Sequence, residues 1–197
     1  MTSSWHSPPR FSKYRYQMLL LAALLLGSCA QISSSPPTAA VLWQLNGKLS
    51  VNSPQGGGSG QFNWRIYPDR FEITLRGPLG YGTVRLSGTP QLALLEQGET
   101  RISGSIEQLS RQWLASELPL QALQYWADGQ IAPSPLPDPD SARYNVQQQL
   151  TEFSQMGWQL LLSRYPDNEK SSKPNKINGQ KGEQRFTLIV QSRGDQP

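Results

Sequence analysis

The chain has 197 residues, 37% of them hydrophobic and 16% charged, with 16 prolines and 17 glycines, which suits one loop-rich domain and leaves no room for two separate cores. Its formal charge of +4 does not signal a nucleic-acid partner: Arg10, Lys13 and Arg15 supply three of the eighteen basic residues ahead of the first apolar run. Without them fifteen basic side chains face fourteen acidic ones, so the body has no bulk attraction for a polyanion.

No Asp or Glu occurs in residues 1–28, and Met18–Leu26 is a run of nine apolar residues. A membrane-crossing helix needs about 20 such residues, so the run fits the h-region of a signal peptide. Leu26-Gly27-Ser28-Cys29 resembles a bacterial lipobox, in which an aliphatic residue and two small ones precede the cysteine that is lipidated before cleavage. Residues 1–28 are thus expected to be a lipoprotein signal peptide and Cys29 the lipid anchor. Residues 29–40, rich in Ser and Pro, are expected to be a flexible tether. An ordinary signal followed by a chance cysteine is the alternative. Ala30, and not Asp, follows the cysteine; by resemblance to Gram-negative lipoproteins this implies sorting to the outer membrane, with the protein facing the periplasm.

Cys29 is the only cysteine and His6 the only histidine, and His6 leaves with the signal. The expected mature chain therefore lacks the parts for Ser/His/Asp or Cys/His nucleophilic catalysis and the usual nitrogen and sulfur ligands of zinc, copper or haem. No enzyme, metal or cofactor is expected. The carboxylate pairs Glu96/Glu99 and Asp138/Asp140 lie in turn-like stretches and are read as solvated. Gly56-Gly57-Gly58-Ser59-Gly60 lacks the Lys-Ser/Thr ending of a phosphate loop and is expected to be a hairpin loop.

From residue 43 the pattern is alternation. Trp43, Leu45, Leu49 and Val51 share one parity; Phe62, Trp64 and Ile66 follow the glycine run; Phe71, Ile73 and Leu75 form a third apolar face beyond Pro68-Asp69. Val84 and Leu86 continue it, and Leu92 with Leu94 add a strand after Gly88-Thr89-Pro90. Five such strands predict an antiparallel meander. Ser105-Ile106-Glu107-Gln108 then has the form of a capping box, predicting a helix over 106–115, and Pro119 opens a second that Gly129 ends. Pro133–Asp140 is expected to be an extended loop. Alternation resumes at Tyr144, Val146, Gln148 and Leu150, and strands are expected over Leu160–Tyr165 and Phe186–Val190. Asp167–Gln184 is expected to be a mobile loop with a short strand near Ile177. Its Lys170, Lys173, Lys176 and Lys181 fit either solvation or contact with anionic headgroups.

A one-sided sheet of eight to eleven strands has only these two helices to cover its apolar face. Curved beneath them, it either encloses an apolar cavity or closes on a filled core, and periodicity does not separate the two. Arg76-Gly77-Pro78-Leu79-Gly80-Tyr81-Gly82 joins two strands yet carries Leu79 and Tyr81 where turn chemistry favours Asn, Asp or Ser. Leu79 is either a wedge for lipid or a residue folded back over the sheet edge.

The succession Trp43…Gly47-Lys48, Phe62-Asn63-Trp64, Gly77-Pro78-Leu79-Gly80, Pro119-Leu120…Tyr125-Trp126…Gly129 and Gly157-Trp158, behind a lipobox, resembles the LolB family of outer-membrane lipoprotein receptors over residues 43–191. The resemblance implies a mainly β fold with α: an incomplete antiparallel β-barrel lidded by short helices, one acyl-chain-binding domain over residues 41–197. It implies a cavity walled by Phe62, Trp64, Phe71, Ile73 and Leu75, with Trp126 and Trp158, and a membrane-insertion loop of Pro78, Leu79, Gly80 and Tyr81. The implied partners are the periplasmic lipoprotein carrier LolA, a triacylated lipoprotein cargo and the inner leaflet of the outer membrane; a monomer is expected. The proline-rich segment after Gly129 and the lysine-bearing loop at 168–184 are longer than the resemblance implies. A non-catalytic lipoprotein that scaffolds an envelope assembly, with no acyl ligand, is the competing expectation.

Overall fold

The computed structural model describes residues 40–77, 82–166 and 173–194. All belong to the unit Ala39–Pro197, and only that unit is described here. Eleven strands form a single antiparallel sheet: β1 Trp43–Ser53, β2 Gly56–Ile66, β3 Phe71–Arg76, β4 Thr83–Gly88, β5 Ala93–Gln97, β6 Thr100–Gly104, β7 Ser141–Tyr144, β8 Leu150–Gln155, β9 Trp158–Ser163, β10 Lys176–Lys181 and β11 Gln184–Gly194. Between β6 and β7 lie α1, Ile106–Leu114, and α2, Leu120–Ala127.

The sheet order is β6-β5-β4-β3-β2-β1-β11-β10-β9-β8-β7. Two meanders are thus joined at their middle by the pairing of the first strand with the last, Leu49 opposite Leu188 and Val51 opposite Phe186. Edge strands β6 and β7 do not pair, so the barrel is incomplete. The expected half-barrel with two helices across it is what forms. Alternation decides which face is covered: Leu45, Leu49 and Val51 of β1 are buried while Lys48 and Ser50 between them are exposed.

Helix α1 begins as its sequence predicts. Ser105 caps it, its hydroxyl accepting from the Gln108 amide at 3.2 Å. Its buried stripe is Ile106, Leu109 and Leu114, and it packs on β5, β6 and β2. In α2, Leu120, Leu123 and Trp126 are buried, with Trp126 fully so.

Several expectations are corrected. The glycine run is not a hairpin loop: the turn lies at 54–55, and Gly56–Gly60 are strand residues of β2 paired with Leu49–Ser53. Two of these glycines are required by crowding, since a Cβ on Gly57 would stand 2.3 Å from the Val51 carbonyl oxygen and one on Gly60 2.4 Å from that of Arg76. In β5 the inward residues are Ala93 and Leu95, and not Leu92 and Leu94; Leu92 is spent in the turn, its carbonyl accepting from the Thr89 amide, and is 69% exposed. With four consecutive apolar residues in Leu92-Ala93-Leu94-Leu95, parity alone could not choose. Strand β6 was unforeseen because Ile102 is its only apolar member.

On the other side, β7 stops at Tyr144, and residues 145–149 turn about Asn145, whose carboxamide oxygen accepts from the amides of Gln147 and Gln149. Tyr144 and Val146 are exposed. The segment around Ile177 is a full strand paired on both sides, with Ile177 wholly buried, and β11 runs on to Gly194. Lys181 pairs with Glu117 at 2.8 Å and Lys173 with Asp128 at 2.7 Å, so neither belongs to a free loop. Lys170 lies outside the described residues.

Candidate functional site

Cross-strand register brings the predicted residues of β2 and β3 together. Phe62 stands opposite Leu75, Trp64 opposite Ile73 and Ile66 opposite Phe71, all on the helix-covered face. Phe62, Trp64, Phe71 and Ile73 are buried, and Leu75 packs against them partly exposed. Trp43 meets Trp64 edge-on, with ring centroids 5.3 Å apart.

Trp126 and Trp158 lie elsewhere in the same core. Trp126 is stacked on Phe186 at 6.4 Å and meets Phe153 edge-on at 6.1 Å; Trp158 meets Phe186 edge-on at 5.3 Å. This filled aromatic cluster joins α2 to β8, β9 and β11. Each such ring is worth roughly 1.5–3 kcal/mol in burial alone, so the cluster fixes the lid on that half of the sheet.

A buried glutamine completes the anchor. Gln155 of β8 has no exposed surface. Its carboxamide oxygen accepts from Trp126 Nε1 at 2.8 Å and from the Ala132 amide at 3.1 Å, and its Nε2 donates to the carbonyls of Ala132 at 2.8 Å and Pro137 at 2.6 Å. The side chain thus pairs with the Ala132 peptide as a neighbouring strand would, and ties the proline-rich segment to the lid. No apolar pattern in the sequence marks a glutamine for that place.

At the end where the chain enters at Trp43, Asp128 caps α2, accepts from two donors and forms an ion pair with Arg193. Its Oδ2 accepts from Trp43 Nε1 at 3.0 Å and Lys173 Nζ at 2.7 Å, and Arg193 Nε stands 3.7 Å from Oδ1. Arg193 also donates to Asn175 Oδ1, the Ala127 carbonyl and the Pro174 carbonyl. Burial holds its pKa below the usual arginine range despite Asp128. This knot is structural: it closes one end of the half-barrel over the first and last strands.

Tyr165 supplies the clearest titration. Its hydroxyl donates to the Leu150 carbonyl, and burial pushes its pKa up to about 12. Unfolded tyrosines ionise near pH 10, so the stabilisation from neutral Tyr165 is complete below about pH 10 and is lost as pH rises toward 12. Thermal melts across this range should fall more steeply for the parent chain than for Tyr165→Phe; equal slopes would show that other groups control the alkaline limit.

Two apolar pockets flank the filled middle. One, of about 250 Å³, lies at the Trp43 end, lined by Trp64, Phe71, Ile106 and Leu120 beneath Tyr67 and Arg70. The other, of about 300 Å³, lies at the opposite end under the last turn of α1, lined by Leu49, Val51, Leu75, Val84 and Trp113. Gly77 and Gly82, which flank residues 78–81, line it too, and the Gly77 amide donates to the Gly82 carbonyl at 3.2 Å. Pro78, Leu79, Gly80, Tyr81 and Cys29 lie outside the described residues. Of the predicted wall, Leu75 borders the second pocket, Trp64 and Phe71 the first, and Phe62 and Ile73 lie on the same face between them. Leu49, Val51 and Trp113 were not foreseen as lining. Among the described residues no group of three or more His, Cys, Asp or Glu could hold a metal.

An open antiparallel sheet, lidded by two helices over an apolar face with a pocket at either end, defines a helix-lidded half-barrel. The chain belongs to the family described as outer membrane lipoprotein LolB, whose model matches residues 42–192. It is 31% identical over 188 residues to the outer-membrane lipoprotein LolB of Cellvibrio japonicus, covering 87% of this chain and 92% of that one. It is 35% identical to that of Stutzerimonas stutzeri, over 75% and 71% of the two chains, and 28% identical to that of Chromohalobacter salexigens, over 95% and 94%. Among solved structures, a LolA superfamily protein from Nitrosomonas europaea is similar with a TM-score of 0.47 at 10% identity, covering 81% of this chain and 89% of that one.

Proposed function

We propose that this outer-membrane lipoprotein receives lipoproteins from the periplasmic carrier LolA, holds their acyl chains against the concave face, and releases them into the inner leaflet of the outer membrane. In this reading residues 1–28 are removed, Cys29 carries the lipid anchor, residues 29–40 are the tether and residues 41–197 bind the cargo. The observation that carries it is the apolar pocket of about 300 Å³ whose rim includes Gly77 and Gly82, the two attachments of the Leu79 segment.

The energetics favour a lined hand-over. Burying hydrocarbon is worth about 0.8 kcal/mol per methylene, so an acyl chain of roughly 16 carbons gains on the order of 10 kcal/mol over water. A cavity of about 300 Å³ is at the small end for ligand sites, so three chains require the lid to give way. Few bonds hold its distal end: Ser53 Oγ to the Ala115 carbonyl, Ser116 Oγ and the Glu117 amide to Gln184 Oε1 at 2.8 and 2.9 Å, and Lys181 to Glu117. Each is worth about 1 kcal/mol, against an aromatic anchor at the other end of the lid. In this reading the α1 side opens, since it is held by the aliphatic stripe of Ile106, Leu109 and Leu114 and these few polar contacts and lacks the aromatic cluster. No step needs a nucleotide: the carrier, the concave face and the membrane bind the chains in ascending order of affinity.

Residues 41–197 mixed with a soluble carrier loaded with a triacylated lipoprotein, and followed by native mass spectrometry and crosslinking, should take up the cargo stoichiometrically and lose it to added membranes. A folded domain that takes up none would favour the scaffold without acyl ligand.

A further inference from the structure

The distal pocket exists because one strand end carries no side chains. On β2 the inward positions run Gly58, Gly60, Phe62, Trp64, in register with Val51, Leu49, Gly47 and Leu45 of β1. Phe62 and Trp64 fill their part of the face and Gly60 is buried, while Gly58 is exposed and lines the pocket together with Trp113 and Leu114.

The two glycines differ in why they are glycine. Gly60 is forced by the Arg76 carbonyl oxygen, 2.4 Å from where its Cβ would be. At Gly58 a Cβ would meet nothing within 4 Å, and its backbone is not in the left-handed region. Nothing in the fold demands glycine there, and a strand favours almost any other residue. Gly58 stands opposite the buried Val51, so any side chain it carried would point toward the pocket both residues line.

We propose that Gly58 is a specificity-determining position, kept free of a side chain so that a straight apolar chain can lie across β2 between Val51 and Trp113. This rests on the acyl-binding reading above and adds the residue that sets how wide a chain the distal pocket admits. Stability and function are then opposed at one residue. A β-branched side chain at 58 should pair with Val51 and raise the melting temperature by about 2 °C while blocking the pocket.

The test uses the full chain in vesicles of phosphatidylethanolamine and phosphatidylglycerol, photolysed with a sixteen-carbon fatty acid bearing a terminal diazirine, with labelled residues mapped by mass spectrometry. The parent chain should be labelled at Val51 and Trp113. Gly58→Val and Gly58→Leu should lose at least tenfold of that labelling with the fold intact, and Gly58→Ala should stay within twofold. Equal labelling of folded Gly58→Val and the parent would overturn the assignment of Gly58 and leave the acyl-binding reading standing. An unlabelled parent would overturn both. If neither Gly58→Val nor Gly58→Leu folds, the glycine is structurally required and the inference falls.

Discussion

Replacing Gln155 with alanine should lower the melting temperature by about 10 °C, the largest stability loss expected of any single polar side chain among the described residues. The truncation orphans four groups at once: Trp126 Nε1, the Ala132 amide, and the carbonyls of Ala132 and Pro137. A buried polar group left unpaired costs about 1–3 kcal/mol, and the four share one cavity, so their costs do not add fully. A total near 4 kcal/mol, at about 2–4 °C per kcal/mol for a domain of this size, gives the expected shift. Gln155→Met separates the causes, since it keeps most of the volume and loses all four bonds. It should melt nearly as low as Gln155→Ala. A Gln155→Met chain within about 1 kcal/mol of the parent would show that the side chain fills space and that its hydrogen bonds contribute little.

That residue also marks where legibility ended. The half-barrel was readable because period-two alternation survives wherever one face is buried, as in Trp43–Val51, Phe62–Ile66 and Phe71–Leu75. The first helix was readable because Ser105 and Gln108 announce it locally. What failed lacked a local cause. Strand β6 and the short edge β7 exist because a neighbour offers hydrogen bonds, not because their side chains alternate. The strand near Ile177 was expected, but as a short piece of a mobile loop; its polar neighbours hid that two flanking strands hold all of Lys176–Lys181 in the sheet. Gly56–Gly60 reads as a turn by composition, and only the register with Leu49–Ser53 makes it a strand whose Gly57, Gly58 and Ser59 border a pocket. The five candidate wall residues on β2 and β3 follow from parity and stand on one face. Trp126 and Trp158, drawn from the family resemblance, stand in the filled aromatic cluster. There they hold the lid that a ligand would have to pass.

Leu79→Glu should leave folding and cargo capture unchanged while slowing insertion into membranes by roughly thirtyfold or more. The proposed role of Leu79 is to bring an apolar side chain to the leaflet as the acyl chains leave the pocket, whose rim its segment joins at Gly77 and Gly82. Burying a leucine is worth about 1.5–3 kcal/mol, and an ionised carboxylate forfeits that gain and adds a desolvation cost. A loss of about 2 kcal/mol in the release barrier corresponds to the thirtyfold change in rate. Leu79→Phe, still apolar, should release cargo at nearly the parent rate. The measurement is transfer of a triacylated lipoprotein from the loaded domain to outer-membrane vesicles, with capture from the carrier scored separately in the same preparation. A block confined to release, cured by the aromatic substitution, places Leu79 at the membrane step. Loss of capture or of folding in Leu79→Glu would instead put the side chain back over the sheet edge as part of the core, and the membrane would have to be met by another part of the rim.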